Sequence, residues 1–347
     1  MEVSIDGSVP QVLLLVLDTV IMVTGLVGHC LVIVILAGRW KRGGQLYHST
    51  DSLLLGLSAA DLLLLSCLPF HTAAIVLGQW PFGSFLCKAI SFLGVACSSA
   101  SVFTLVALAI SRYITVVHPT FAYRSRMHRY IQVAVVALWM PAVALAAPQF
   151  AFRTVASSSQ LACFAFLSDL SQLVYSTALF LIAFAIPLIV IVAMYTKIFC
   201  FLRHTRQACQ TPHLLRYQSQ ITHTSVLLVL VFTACWLPSF IFMFSMVGKT
   251  VASTAHYQAF GIFARLLASS SSVANPILYV FTSHKFRKDL LQLGRQRCGA
   301  FRSCWCRCPR GANDVQPFNV MELGPPLRQQ SNAPSHGQTI KPANCGI

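Results

Sequence analysis

The 347 residues are 56% hydrophobic and only 10% charged, against roughly one-quarter charged residues in soluble domains. That balance excludes a water-soluble globular fold and calls for a bilayer as solvent. The net charge of +16 would suit nucleic acid, but its placement along the chain excludes that partner.

Seven stretches of about 20 or more nearly uncharged residues have the length that crosses a bilayer core as a helix. They are 12–37, 52–77, 88–117, 129–150, 172–201, 221–247 and 257–281. The expected fold is therefore an all-α membrane protein, a seven-helix transmembrane bundle over 11–282 with a short extracellular N-terminus over 1–10. All Lys and Arg except Lys88, Arg153, Lys249 and Arg265 fall at inner helix ends, inner loops or the tail if the N-terminus is outside. That asymmetry is the positive-inside pattern, and it predicts a cytoplasmic C-terminus. The first apolar run is too long for a signal peptide and lacks a convincing cleavage site.

The thirteen cysteines divide by the same topology. Cys30, Cys67, Cys97 and Cys235 lie within spans, and Cys200 and Cys209 lie at the inner edge. Only Cys87 and Cys163 face the oxidising side, so they are the expected disulfide, the alternative being two free thiols. The tail run CGAFRSCWCRCP carries Cys298, Cys304, Cys306 and Cys308. Beside a cytosolic membrane surface these suit S-acylation better than zinc. Residues 299–347 beyond are rich in Pro, Gln, Asn and Gly and are expected to be mostly disordered.

Motifs in chain order then point to a family. LSAADLLLL places Asp61 in the second span, and GQWPFGSFLCK supplies Trp80 and Cys87. SRYITVVHP carries Ser111, Arg112 and Tyr113 at the inner end of the third span. Trp139 marks the fourth span, and Pro187 with Tyr195 the fifth. FTACWLP contains Phe232, Trp236 and Pro238; NPILY contains Asn275, Pro276 and Tyr279. In this order and spacing the chain resembles the rhodopsin-like (class A) G-protein-coupled receptors. It is most similar to peptide receptors of the galanin and kisspeptin neighbourhood.

The resemblance implies an activation switch built from Ser111, Arg112, Tyr113, Tyr195, Phe232, Trp236, Pro238, Pro276 and Tyr279. Pro238 and Pro276 each remove a helix hydrogen bond, and an agonist would swing the lower sixth helix about that hinge to admit a heterotrimeric G protein. It implies an amphipathic helix over 283–298, and a polar core in which Asp61, Ser101, Ser271, Ser272 and Asn275 can hold a sodium ion. A mid-membrane carboxylate costs at least roughly 2.5–3.5 kcal/mol unless partnered. His29 stands where the family carries asparagine, and either a neutral hydrogen-bonding imidazole or a protonated partner of Asp61 is open.

Intramembrane charge is the clue to the ligand. Gly94 stands where amine receptors carry aspartate, which disfavours a monoamine. Arg265 lies ten residues before Asn275, roughly 15 Å outward at 1.5 Å per residue. Two readings stay open. Arg265 binds a ligand carboxylate or peptide carbonyl in a site with His71, Gln79, Val95, Ser98, Leu179, Trp236, Phe240, Met243 and Ser269. Alternatively it only pairs with Asp18 of the first span. Met246, Phe92 and Phe180 are further lining candidates.

The expected function is a plasma-membrane receptor, not an enzyme, for an extracellular peptide, with an acidic lipid or metabolite as the rival ligand. A non-signalling scavenger of the same fold is the other rival. The short basic segment between the fifth and sixth spans, about 203–220, suits an acidic partner surface and anionic lipid. It favours the inhibitory G-protein class. The tail offers Ser303, Ser331, Ser335 and Thr339 as its few phosphosites for arrestin. Ser111 replaces the aspartate that pairs with Arg112 in most relatives, which predicts elevated ligand-independent activity.

Overall fold

The computed structural model describes residues 8–42, 49–118, 133, 136–157, 161–165, 168–208, 212–248, 255–282, 286–292 and 294. Helix α1 is Ser8–Arg42, α2 Ser49–Leu77, α3 Gly83–Val117 and α4 Trp139–Phe152. A hairpin follows, β1 Arg153–Ser157 against β2 Leu161–Ala165. The fifth span is α5 Asp169–Phe180, a π-helical turn Leu181–Ala185, and α6 Ile186–Ala208. The sixth is α7 Pro212–Val247 and the seventh α8 Ala255–Thr282.

Most of these helices run past a predicted span limit at one end or both, whereas the C-terminal end of α2 stops at its predicted limit, Leu77, before the left-handed Gly78. The segment expected to be a loop over 203–220 is mostly helix: α6 continues to Ala208, and α7 starts at Pro212, a residue favoured in the first turn of a helix. The predicted extracellular N-terminus gives way to helix at Ser8. The first part of the predicted fourth span and the tail with its cysteines Cys298, Cys304, Cys306 and Cys308 lie outside the described residues. Among the described residues, five stretches are long and apolar enough to cross a membrane, in α1, α2, α3, α5–α6 and α7. Helix α4 is described over only 14 residues, and α8 carries Arg265 and a run of serines that dilute its apolar character.

Large apolar side chains face outward along α1, including Val12, Leu13, Val16, Val20, Val23 and Val27. Lipid is as apolar as leucine, so helix association depends on close packing rather than on burial from water. Small residues supply the close approach: Ala60, Ala100 and Ala142 are at most 1% exposed and form one packed cluster against Trp139. A Cβ built on Gly28 would stand 2.8 Å from the ring of Pro276 on α8, and one on Gly25 2.5 Å from a methyl of Leu65 on α2. The leucine methyl can rotate away, whereas the proline ring is rigid. Gly28→Ala is therefore expected to lower thermal stability by roughly 1–3 kcal/mol, the cost of overpacking, and Gly25→Ala by less. Equal melting shifts for the two purified variants would contradict this.

The outer end is stapled. Cys87 on α3 and Cys163 on β2 form the expected disulfide, which holds the hairpin over the bundle. The Trp80 indole donates to the Gly83 carbonyl at 2.9 Å and packs edge-on against Phe82, which meets Phe70 likewise. The turn needs left-handed backbone at Gly78 (φ 64°) and Gly83 (φ 76°), which residues with a Cβ adopt only at a cost.

The inner end is tied by charge. Arg39 Nε donates to Asp289 at 2.7 Å and Nη1 to Asp51 at 3.1 Å, and its guanidinium lies 5.9 Å from the centroid of the Phe286 ring. Residues 286–292 are helical, so this cation joins α1, α2 and the segment after α8.

Candidate ligand cavity and polar core

A cavity of about 630 Å³ opens in the outer half, a volume typical of ligand sites. Helices α2, α3, α7 and α8 supply most of its wall, with α4, β1 and the fifth span closing it. Of the predicted ligand contacts, His71, Val95, Ser98, Leu179, Trp236, Phe240, Met243, Arg265 and Ser269 all line it. Gln79 does not. The left-handed turn at Gly78 ends α2 and leaves Gln79 exposed outside the wall. Met246 is also directed away and is 57% exposed. Phe92 packs edge-on against Phe150, and Phe180 sits behind the wall against Phe184, Phe240 and Phe244.

The wall contains two cations that differ in how they are held. Arg153, the first residue of β1, was legible only as an outer positive charge; that it reaches the cavity depends on the hairpin folding back. Its Nε donates to Gln149 at 2.6 Å and its Nη1 to the Cys163 carbonyl at 3.5 Å. Arg265 donates through Nη2 to Asp18 Oδ2, which also accepts from the Thr72 hydroxyl. The pairing with Asp18 leaves room for the ligand reading of Arg265 in the same geometry. Arg265 pairs with Asp18 and still lines the cavity, and its Nε and Nη1 find no acceptor in the described protein.

Below the cavity lies the polar core. Ser101 donates to Asp61 Oδ1 at 2.9 Å and Asn275 Nδ2 to Oδ2 at 2.6 Å. His29 Nε2 donates to the Ser272 carbonyl at 2.8 Å and lies 3.5 Å from Asp61 Oδ2. A carbonyl only accepts, so Nε2 carries a proton. Ser271 accepts from the Trp236 indole at 3.1 Å. A small space of about 10 Å³ beside Asp61 has room for one water-sized sphere. Leu64, Ser98, Phe232 and Trp236 border both this space and the large cavity.

Toward the inner end, Tyr195 is buried, and the Phe232 ring lies 6.0 Å from that of Trp236, tilted by 33°. Pro238 and Pro276 lie inside α7 and α8. The backbone of Tyr279 is in α8, but its side chain is outside the described ones. Ser111 offers its carbonyl to the Thr115 hydroxyl. Among the described residues Arg112 has no carboxylate partner. Tyr113 packs edge-on against His118 and lies under the Lys197 ammonium at 5.8 Å.

The profile of the 7 transmembrane receptor (rhodopsin family) matches residues 28–279. The chain belongs to that family. Neuropeptide Y receptor type 6 of Mus musculus is 30% identical over 331 residues, 89% of this chain and 85% of that receptor. Galanin receptor type 1 of Homo sapiens is 30% identical over 285 residues, 80% of each chain. Somatostatin receptor type 5 of Rattus norvegicus is 30% identical over 284 residues, 80% of this chain and 76% of that one. The protein is thus a G-protein-coupled receptor of the rhodopsin family, a multi-pass plasma-membrane protein with a seven-helix bundle, and not an enzyme.

Proposed function

We propose that this receptor binds an extracellular peptide in the 630 Å³ cavity and passes the signal to a heterotrimeric G protein of the inhibitory class. In this reading the N-terminus is extracellular and the C-terminus cytoplasmic, in line with the distribution of Lys and Arg. The peptide class is favoured by relatives whose names are those of neuropeptide Y, galanin and somatostatin receptors. The observation that carries the mechanism is the shared wall: Trp236 and Phe232 face the ligand cavity on one side and the Asp61 core on the other. A ligand that displaces the indole takes its N–H from Ser271, loosens α8 beside Pro276, and frees α7 to bend at Pro238, where the ladder lacks a hydrogen bond.

G-protein recruitment measured across coupling classes with neuropeptide Y, galanin and somatostatin tests this. Recruitment of an inhibitory-class protein by any of them supports the proposal. Binding without recruitment would instead establish the non-signalling scavenger.

The oxygens of Asp61, Ser101 and Ser271 suit a small hard cation, and sodium is the ion that we assign to them. His29 brings an N–H to within 3.5 Å of the same carboxylate, and the space beside it is small. Sodium is therefore expected to act weakly. Replacing sodium by N-methylglucamine should shift agonist affinity by about twofold or less, and by about tenfold in His29→Asn, within the usual range of allosteric coupling. Equal shifts would contradict the role given to His29.

A further inference from the structure

The outer cavity has a charge asymmetry. Among the described residues that line it, Arg153 and Arg265 are charged and none is acidic. Among the described residues the carboxylate paired with Arg265, Asp18, is 4% exposed and stands behind the wall, outside the lining. It takes only Nη2 of Arg265 and shares that same oxygen with Thr72. Two buried guanidinium donors, Nε and Nη1, remain without an acceptor among the described residues. Leaving a buried charged donor unmatched is costly, whereas a carboxylate is the acceptor whose geometry a guanidinium matches. His71, Arg153 and Arg265 all line this one cavity.

We infer that the outer cavity is an anion-receiving site in which Arg265, assisted by Arg153, binds an acidic group of the ligand, while Asp18 acts as the internal counterion of the ligand-free receptor. An amine-bearing ligand has no carboxylate to meet in this wall. Most of the remaining lining is apolar, including Val95, Leu179 and Phe240, so the acidic group arrives on a largely hydrophobic body. This rests on the peptide-receptor reading above and specifies it: the peptide presents a carboxylate, terminal or side-chain, inside the bundle.

The test needs neither the natural ligand nor a G protein. In the full-length receptor Ser269→Cys places a thiol on the wall. Its rates with anionic methanethiosulfonate ethylsulfonate and cationic methanethiosulfonate ethyltrimethylammonium are compared with those of a free thiol, and the parent receptor serves as background. The normalised ratio should favour the anion. It should fall by about tenfold in Arg265→Gln, as expected for removal of one nearby charge from a poorly screened site. Should Arg265→Gln fail to reach the surface, Arg153→Gln carries the same expectation. In a second arm, N-acetylphenylalanine (a terminal carboxylate) and N-acetyl-aspartyl-phenylalaninamide (a side-chain carboxylate) are tested for protecting the thiol against neutral methyl methanethiosulfonate. Protection by either, beyond that of N-acetylphenylalaninamide and lost with Arg265→Gln, supports the site and tells which carboxylate it takes. A ratio that favours the cation, a ratio unchanged by the arginine variants, a thiol inert to both reagents, or acids no better than the amide overturns it. Such a failure leaves the peptide-receptor reading standing. Failure of G-protein recruitment, conversely, leaves the charge of the cavity untouched.

Discussion

Asp18→Ala is expected to lower the thermal stability of the purified receptor by about 3 kcal/mol, and Asp18→Ala combined with Arg265→Gln to recover most of that loss. The reason is the asymmetry of buried ion pairs. Removing one partner strands a charge and costs roughly 3–5 kcal/mol, whereas removing both leaves little uncompensated. Asp18 is 4% exposed, but the Arg265 side chain keeps 21% of its surface along the cavity wall, so water can partly solvate it and the lower end of the range applies. Thr72, which donates to the same carboxylate oxygen, would lose its interhelical partner too, and its hydroxyl would fall back on the Leu68 carbonyl, already 3.0 Å away. The measurement is a thermal melt of each single variant and of the double. A double variant as unstable as Asp18→Ala would show that the pair is not the cause.

Ser111→Asp should lower ligand-independent G-protein signalling by about twofold to tenfold, as follows from a resting-state gain of up to about 1.4 kcal/mol. Arg112 has no carboxylate partner among the described residues, and Ser111 is only half-buried, so an introduced carboxylate would meet the guanidinium near water, where an ion pair is worth little to moderate energy. Small energies suffice because the signal reads a population ratio. Basal recruitment, normalised to surface expression and measured without ligand, decides the matter. An unchanged or higher basal signal would falsify the idea that the missing carboxylate loosens the resting state.

The seven apolar runs, the disulfide cysteines and the polar core around Asp61 were legible in the sequence for distinct reasons. Bilayer thickness sets a minimum length for each helix, and the oxidising side leaves only Cys87 and Cys163. Arithmetic along a helix brings Arg265 and His71 to one height. Where the reading fell short, some causes were single local residues and others tertiary contacts. Gln79 looked like a pocket residue by its place in the chain, yet one left-handed glycine ends α2 and carries it away. Arg153 looked like a loop charge, yet the β1–β2 hairpin and the disulfide fold it over the bundle. The inner end of the fifth helix ran on because no glycine or proline interrupts residues 203–208, and the sixth begins early at Pro212, a residue favoured in a helix's first turn.

Taken alone, the sequence determined that this chain is a seven-helix membrane receptor, because hydrophobic length and the ordered motifs are properties of each segment by itself. Only the tertiary structure decided where Arg265 sits and what it pairs with. Whether it pairs, binds or does both depends on where α1 places Asp18 against α8, and helix rotation within a bundle is set by packing among all neighbours. It is this packing that gives one oxygen of Asp18 to one nitrogen of Arg265 and leaves the remaining donors on the cavity wall.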